Sequence, residues 1–169
     1  EWAARPVVTR CHFLFKFREL LTQHAEDIAR TVTREHGKTL VEARASVQRG
    51  IEVVEFACGT PSLIMGQSIQ NIAREVDCET IRHPVGVCAG IVPFNYPLLL
   101  LAWKIAPALA AGNSVVIKPS ELTPLATLRF CERILGHLPA GVVNVVTGTG
   151  PEAGEALVDD PDVACIAFT

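Results

Sequence analysis

Val87-Cys88-Ala89-Gly90-Ile91-Val92 begins a pattern that returns at Val115-Val116-Ile117, at Val142-Val143-Asn144-Val145-Val146 and at Ala164-Cys165-Ile166-Ala167-Phe168. Each run is short, rich in β-branched residues and almost continuously apolar, which is how a strand covered on both faces reads. The runs recur about every 25 residues, and helical stretches punctuated by turn residues lie between them. Pro97 suits a first helical position and Gly112 a helix stop. Thr123 is placed to cap a second helix with Pro124 behind it, Gly136 to end it, and Gly150-Pro151 to open a third. Buried strands alternating with helices pair in parallel, so the predicted fold is α/β with a doubly wound parallel sheet. Ligands of such sheets bind beyond the carboxyl ends of the strands, which directs attention to the residues that follow each run.

Toward the N-terminus the period changes. Leu21, Ala25, Ile28 and Val32 form one helical stripe, with Gly37 as its stop. Leu40, Ala43, Val47, Ile51 and Val54 form another, ending near Gly59 and Pro61. From Gly66 to Pro84, Ile69, Ile72 and Val76 are interleaved with polar residues, which predicts a half-exposed β-hairpin. The expected organisation is therefore N-terminal helices over 1–65, a hairpin arm over 66–84 and the nucleotide-binding sheet over 85–169.

Composition removes several classes of function. The chain is 49% hydrophobic and 20% charged, which excludes a disordered polymer. A net charge of −3 without a basic cluster leaves no footprint for nucleic acid. The six cysteines include no CxxC pair, which speaks against zinc and for the reduced cytoplasm. No leader pattern is visible, and a start at Glu1 is read as a hint that the sequence belongs to something longer. Val85 to Val116 is apolar enough to suggest a membrane span, but prolines, asparagines and Lys104 interrupt it, so a buried strand, turn and helix are expected and no membrane.

Three strand ends carry candidate chemistry. In Pro93-Phe94-Asn95-Tyr96-Pro97, two prolines hold an asparagine amide at the ligand edge, where an ordinary turn asparagine is the competing reading. In Lys118-Pro119-Ser120-Glu121, an ammonium and a carboxylate could hold the hydroxyls of a ribose; a capped helix start with a solvated charge pair competes. In Gly148-Thr149-Gly150-Pro151-Glu152-Ala153-Gly154, glycines at a strand-to-helix turn let a cofactor approach the backbone, and a plain tight turn competes. Its spacing is one residue longer than the usual dinucleotide fingerprint.

The order of these segments resembles the aldehyde dehydrogenase superfamily over essentially the whole chain. The resemblance is carried by Gly90 to Pro97, Lys104 to Asn113, Val116 to Glu121, Glu35-His36-Gly37-Lys38 and Gly148 to Pro151. It implies a Rossmann-like NAD(P)-binding sheet, with the hairpin as an oligomerisation arm of a homo-oligomer. By the resemblance Asn95 is the oxyanion-stabilising amide, Lys118 and Glu121 hold the adenosine ribose, and Ser120, Gly148, Gly150 and Gly154 also border the cofactor. NAD is expected over NADP, because Glu121 would face a 2′-phosphate with like charge.

Arg49 to Gly59 and Pro61 to Gly66 resemble more narrowly the methylmalonate-semialdehyde dehydrogenase branch, which transfers the acyl group to coenzyme A. There Arg49 would hold a substrate carboxylate, and a solvated helix-surface arginine is the even alternative. Trp103 to Pro107 and Gly148 to Gly150 resemble other members instead, so the aldehyde stays open. The nucleophilic cysteine and general base are expected beyond Thr169, which makes this an inactive, incomplete fragment of an enzyme that oxidises a small aldehyde. The alternative is a non-catalytic nucleotide-binding or oligomerisation module.

Overall fold

The computed structural model describes residues 1–169. Helices α1 (Val7–Gln23), α2 (Ala25–His36), α3 (Leu40–Cys58) and the single turn α4 (Thr60–Leu63) come first. An antiparallel hairpin, β1 (Ser68–Ala73) and β2 (Val76–Glu79), follows them. The remainder alternates: β3 (Val87–Ile91), α5 (Leu99–Ala110), β4 (Ser114–Lys118), α6 (Pro124–Ile134), β5 (Val143–Val145), α7 (Glu155–Asp159) and β6 (Val163–Phe168). The four later strands pair in parallel in the order β5-β4-β3-β6, as the apolar runs predict.

Local chemistry sets the helix limits. Gly37 ends α2 at φ 85°, a left-handed conformation that a Cβ would disfavour. Two residues later Thr39 opens α3 with a capping box: its hydroxyl accepts from Glu42 N (3.3 Å) while the Glu42 carboxylate accepts from Thr39 N (3.0 Å). The stripe from Leu21 to Val32 is not one helix, because His24 separates α1 from α2. Glu26 and Asp27, in the first turn of α2, favour a fresh helix N-terminus there. The burial survives the break, since Leu21, Ile28 and Val32 all reach the core.

The core runs continuously from Trp2 through α1, α2 and α3 to α5, then to Val115 and Ile117 of β4 and Phe130 and Ile134 of α6. Each large aliphatic or aromatic side chain removed from water there contributes roughly 1.5–3 kcal/mol. The central strands β3 and β4 are largely buried, whereas β5 and β6, at the sheet edges, are half-buried or exposed. Coverage on both faces thus holds for the centre of the sheet only. The hairpin is exposed along both strands rather than half-exposed.

Two cap assignments change. Pro97 does not begin a helix: α5 starts at Leu99. Thr123 precedes Pro124 at the start of α6, but its hydroxyl makes no cap hydrogen bond and is buried without a partner. Glu35, at the end of α2, caps α6 in its place, accepting from Leu125 N (2.6 Å) and Ala126 N (3.0 Å). The apolar stretch from Val85 to Val116 is divided between β3, α5 and β4, and no helix is long and apolar enough to cross a membrane.

Candidate functional site

The parallel register brings the strand ends together. Val92 N donates to Lys118 O (3.1 Å), Val146 N to Ile117 O (2.9 Å) and Thr169 N to Ile91 O (3.3 Å). The turns after β3, β4 and β5 therefore leave one carboxyl edge as neighbours, with the end of β6 beside them.

Lys118 is 3% exposed. Its Nζ donates to Pro119 O (3.0 Å) and lies 3.6 Å from the half-exposed carboxylate of Glu121. Burial removes the solvated-pair reading for the lysine, because an ammonium taken from water must keep polar partners. Two acceptors leave donor capacity on a group with three N–H bonds. The Glu121 carboxylate is held below the usual range by its own backbone N–H and then by Lys118. The hydroxyl of Ser120 accepts from Leu122 N (3.2 Å) and tightens the turn between them.

The glycine-rich turn packs against this lysine. A Cβ on Gly154 would stand 3.8 Å from Lys118 Cδ, while the position of a Cβ on Gly150 is open. Gly148 has φ 151°, and a Cβ there would come within 3.0 Å of that of Ala153, so this position calls for glycine. Thr149 O accepts from both Ala153 N (3.0 Å) and Gly154 N (3.4 Å), which widens the first helical turn. The side chain of Thr149 donates to Glu152 (2.8 Å). A cavity of about 230 Å³ opens beside the turn, lined by Ile91, Gly150, Gly154, Val158 and Phe168.

Asn95 is exposed at the same edge. Its turn is held from outside: Lys38 Nζ donates to Asn95 O and sits 3.7 Å from the centre of the Tyr96 ring, and His36 stacks on Phe94 at 5.8 Å. None of these contacts follows from sequence spacing: Lys38 and Asn95, for one, are 57 positions apart. The one available signal was the Glu35-His36-Gly37-Lys38 turn, whose partners a sequence does not name.

Arg49 lies apart from these residues. It is exposed on α3, at the rim of a groove of about 460 Å³ between α3 and α5, with Glu52, Phe56, Leu99 and Trp103 among its walls. The structure joins Lys118, Ser120, Glu121 and the glycines into one cluster with Asn95 at its edge, and places Arg49 in a separate groove at the start of α5. Phe56 and Trp103 are groove residues that the sequence reading did not single out.

The pattern of the aldehyde dehydrogenase family matches residues 1–169. The chain belongs to that family. It is 45% identical over 168 residues to malonate-semialdehyde dehydrogenase 1 of Geobacillus kaustophilus, covering 99% of this chain and 34% of that protein. Among solved structures, methylmalonate-semialdehyde dehydrogenase of Oceanimonas doudoroffii matches with a TM-score of 0.94 and 41% identity, over 98% of this chain and 34% of that one. A betaine aldehyde dehydrogenase of Staphylococcus aureus, in complex with NAD⁺, matches with a TM-score of 0.94 and 36% identity, over 99% of this chain and 34% of that one. This aldehyde dehydrogenase chain spans about a third of the length of the relatives it matches.

The six thiols of the aldehyde dehydrogenase chain are free and differ in setting. Burial pushes the Cys131 thiol up to about 12 and that of Cys58 to about 11, and it also raises Cys11 and Cys88. The other two thiols are open: Cys165, in a run that reads as buried, is exposed on the edge strand β6, and Cys78 is exposed in the hairpin.

Proposed function

We propose that the protein to which residues 1–169 belong oxidises a small aldehyde with NAD, and that these residues supply the cofactor-binding edge and the oxyanion donor. The observation that carries the reading is the buried Lys118 beside Glu121 and against the Gly148–Gly154 turn, at the carboxyl edge of a parallel sheet. The donor set fits the adenosine end of a dinucleotide. Lys118 has unused N–H bonds to give a ribose hydroxyl, Glu121 is ionised and can accept from one, and Gly148, Gly150 and Gly154 keep side chains off the adjoining backbone. Ser120 shapes the turn between the two charged residues. NAD, when bound, supplies the hydride acceptor. This chain's own part is to bind and orient the cofactor and, through the Asn95 amide, to donate a hydrogen bond to the developing oxyanion.

A finer reading belongs to the same proposal. The aldehyde is a semialdehyde acid of the malonate or methylmalonate kind, Arg49 pairs with its carboxylate, and coenzyme A accepts the acyl group. The supporting observations are the 45% identity to a malonate-semialdehyde dehydrogenase and the position of Arg49 at a groove that begins where α5 begins. We further propose that the exposed hairpin over 66–84 is the arm of a homo-oligomer, set between helices over 1–65 and the nucleotide-binding sheet over 85–169. The six free cysteines support a cytoplasmic setting.

The cofactor assignment is tested with the intact enzyme and both nicotinamide cofactors. A 2′-phosphate beside the Glu121 carboxylate meets like charge, so kcat/KM should favour NAD by about tenfold or more. Glu121→Gln should narrow that gap. A wild-type preference for NADP would remove the clamp.

Arg49 is tested by substrate comparison. Arg49→Ala should cost the semialdehyde acids about 2 kcal/mol of transition-state binding and leave propanal nearly unchanged. Equal losses on both would return Arg49 to the solvated surface.

A further inference from the structure

We infer that Lys38 is the positioning residue for Asn95, locking the turn that presents the oxyanion donor; the inference rests on the role proposed for Asn95. Pro93 and Pro97 restrict their own φ angles, and Pro97 also restricts Tyr96 before it, but Phe94 and Asn95 stay free. Phe94, Asn95 and Tyr96 are all exposed, and α5 reaches that part of the turn through one backbone bond, from Leu100 N to Tyr96 O (3.1 Å), which leaves Phe94 and Asn95 unheld. A catalytic donor cannot be left loose, because a misplacement of about 1 Å can cost roughly 100-fold in rate.

The missing constraint comes from one turn between two helices. Lys38 Nζ donates to the carbonyl of Asn95 itself and lies over the ring of Tyr96 at 3.7 Å, while His36 stacks on Phe94 at 5.8 Å. The carbonyl contact restrains the peptide after Asn95, and the cation over the ring restrains the next side chain. Movement of the backbone that carries the donor would have to break one or both.

Lys38 is itself well anchored. Gly37 ends α2 in a left-handed conformation immediately before it, and the Thr39 capping box starts α3 immediately after it. Glu35 is committed to the backbone of α6 through Leu125 and Ala126. Burial holds the Lys38 ammonium below its usual range, opposed by Glu42, as expected for a cation drawn from water toward a carbonyl and an aromatic face. A solvated surface lysine would have none of these contacts.

The test uses the intact enzyme and four variants: Lys38→Met, which keeps the aliphatic stem, Lys38→Arg, Asn95→Ala, and the double variant Lys38→Met/Asn95→Ala. Asn95→Ala should lower kcat by about 100-fold. Lys38→Met should lower kcat by about tenfold or more, with KM for NAD unchanged and a wild-type melting temperature. Lys38→Arg, which can still donate and still face the ring, should recover most of that loss. The double variant should be no slower than Asn95→Ala alone, because a positioning residue has nothing left to position.

A wild-type kcat in Lys38→Met overturns the inference, and so do losses that multiply in the double variant, whether or not the melting temperature has fallen. A slow Asn95→Ala with a normal Lys38→Met condemns the Lys38 inference alone. A normal kcat in Asn95→Ala removes the oxyanion reading and the inference with it.

Discussion

Purified residues 1–169 are expected to reduce no NAD with propanal or with malonate or methylmalonate semialdehyde, in the presence or absence of coenzyme A. The reaction needs a thiolate within attack distance of the aldehyde carbon and an oxyanion donor across from it. Asn95 is the proposed donor, but no thiol in these residues is expected to serve as the nucleophile. Cys11, Cys58, Cys88 and Cys131 are all raised by burial, so each is protonated near neutrality. Cys78 is in the exposed hairpin and makes no part of the carboxyl edge. Cys165 is exposed but pairs with Cys88, three positions short of the strand end at Ile91, roughly 10 Å back from the edge at about 3.3 Å per residue. The measurement is NADH absorbance over time for refolded protein whose circular dichroism shows mixed α/β content. Turnover above that of a variant lacking all six cysteines, abolished by alkylating one of them, would overturn the expectation.

Arg10→Ala should destabilise the protein by about 2–4 kcal/mol, a large share of the total stability of a typical domain. Arg10 is 6% exposed. Its Nε donates to Ala110 O at the end of α5 (3.0 Å), and its Nη1 donates to Ala3 O (3.4 Å) and to Arg5 O. Burial lowers its pKa from the ordinary arginine value without discharging it, so the cation remains at the negative end of α5. Trp2 adds a second anchor, its indole N–H donating to Leu109 O (3.1 Å). Truncation leaves carbonyls unpaired, opens a cavity beside Gly112 and frees the N-terminal segment that these bonds tie down. Arg10→Lys keeps the charge but cannot reach all three acceptors, so it should fall between wild type and alanine. Urea unfolding of the intact protein, monitored in the far ultraviolet, measures the difference. A midpoint shift for Arg10→Ala no larger than that of an exposed change such as Arg34→Ala would show that the contacts contribute nothing.

Sequence alone determined the class and direction of the fold. Runs such as Val87 to Val92 and Val115 to Ile117 are too continuously apolar for a one-sided sheet, and their helical spacing leaves parallel pairing as the way to cover them; the observed order β5-β4-β3-β6 is parallel throughout. Those signals are local, set by period and by end residues such as Gly37 and Gly59. Tertiary structure decided everything that depends on which distant groups meet. Thr123 looked like the cap of α6, but Glu35 holds that helix because α2 ends beside it. Lys118 and Glu121 looked like equals in a charge pair, and only the packing of the Gly148–Gly154 turn shows that one is buried and the other half-exposed. Cys165 read as buried like Cys88, yet an edge strand has no neighbour on one side to cover it. Lys38 carried no visible signal toward Asn95, since a single hydrogen bond between residues far apart in the chain leaves no periodicity in either segment. Periodicity records what a residue does with its own helix or strand; the partner across the fold is chosen by packing, which the order of residues does not spell out.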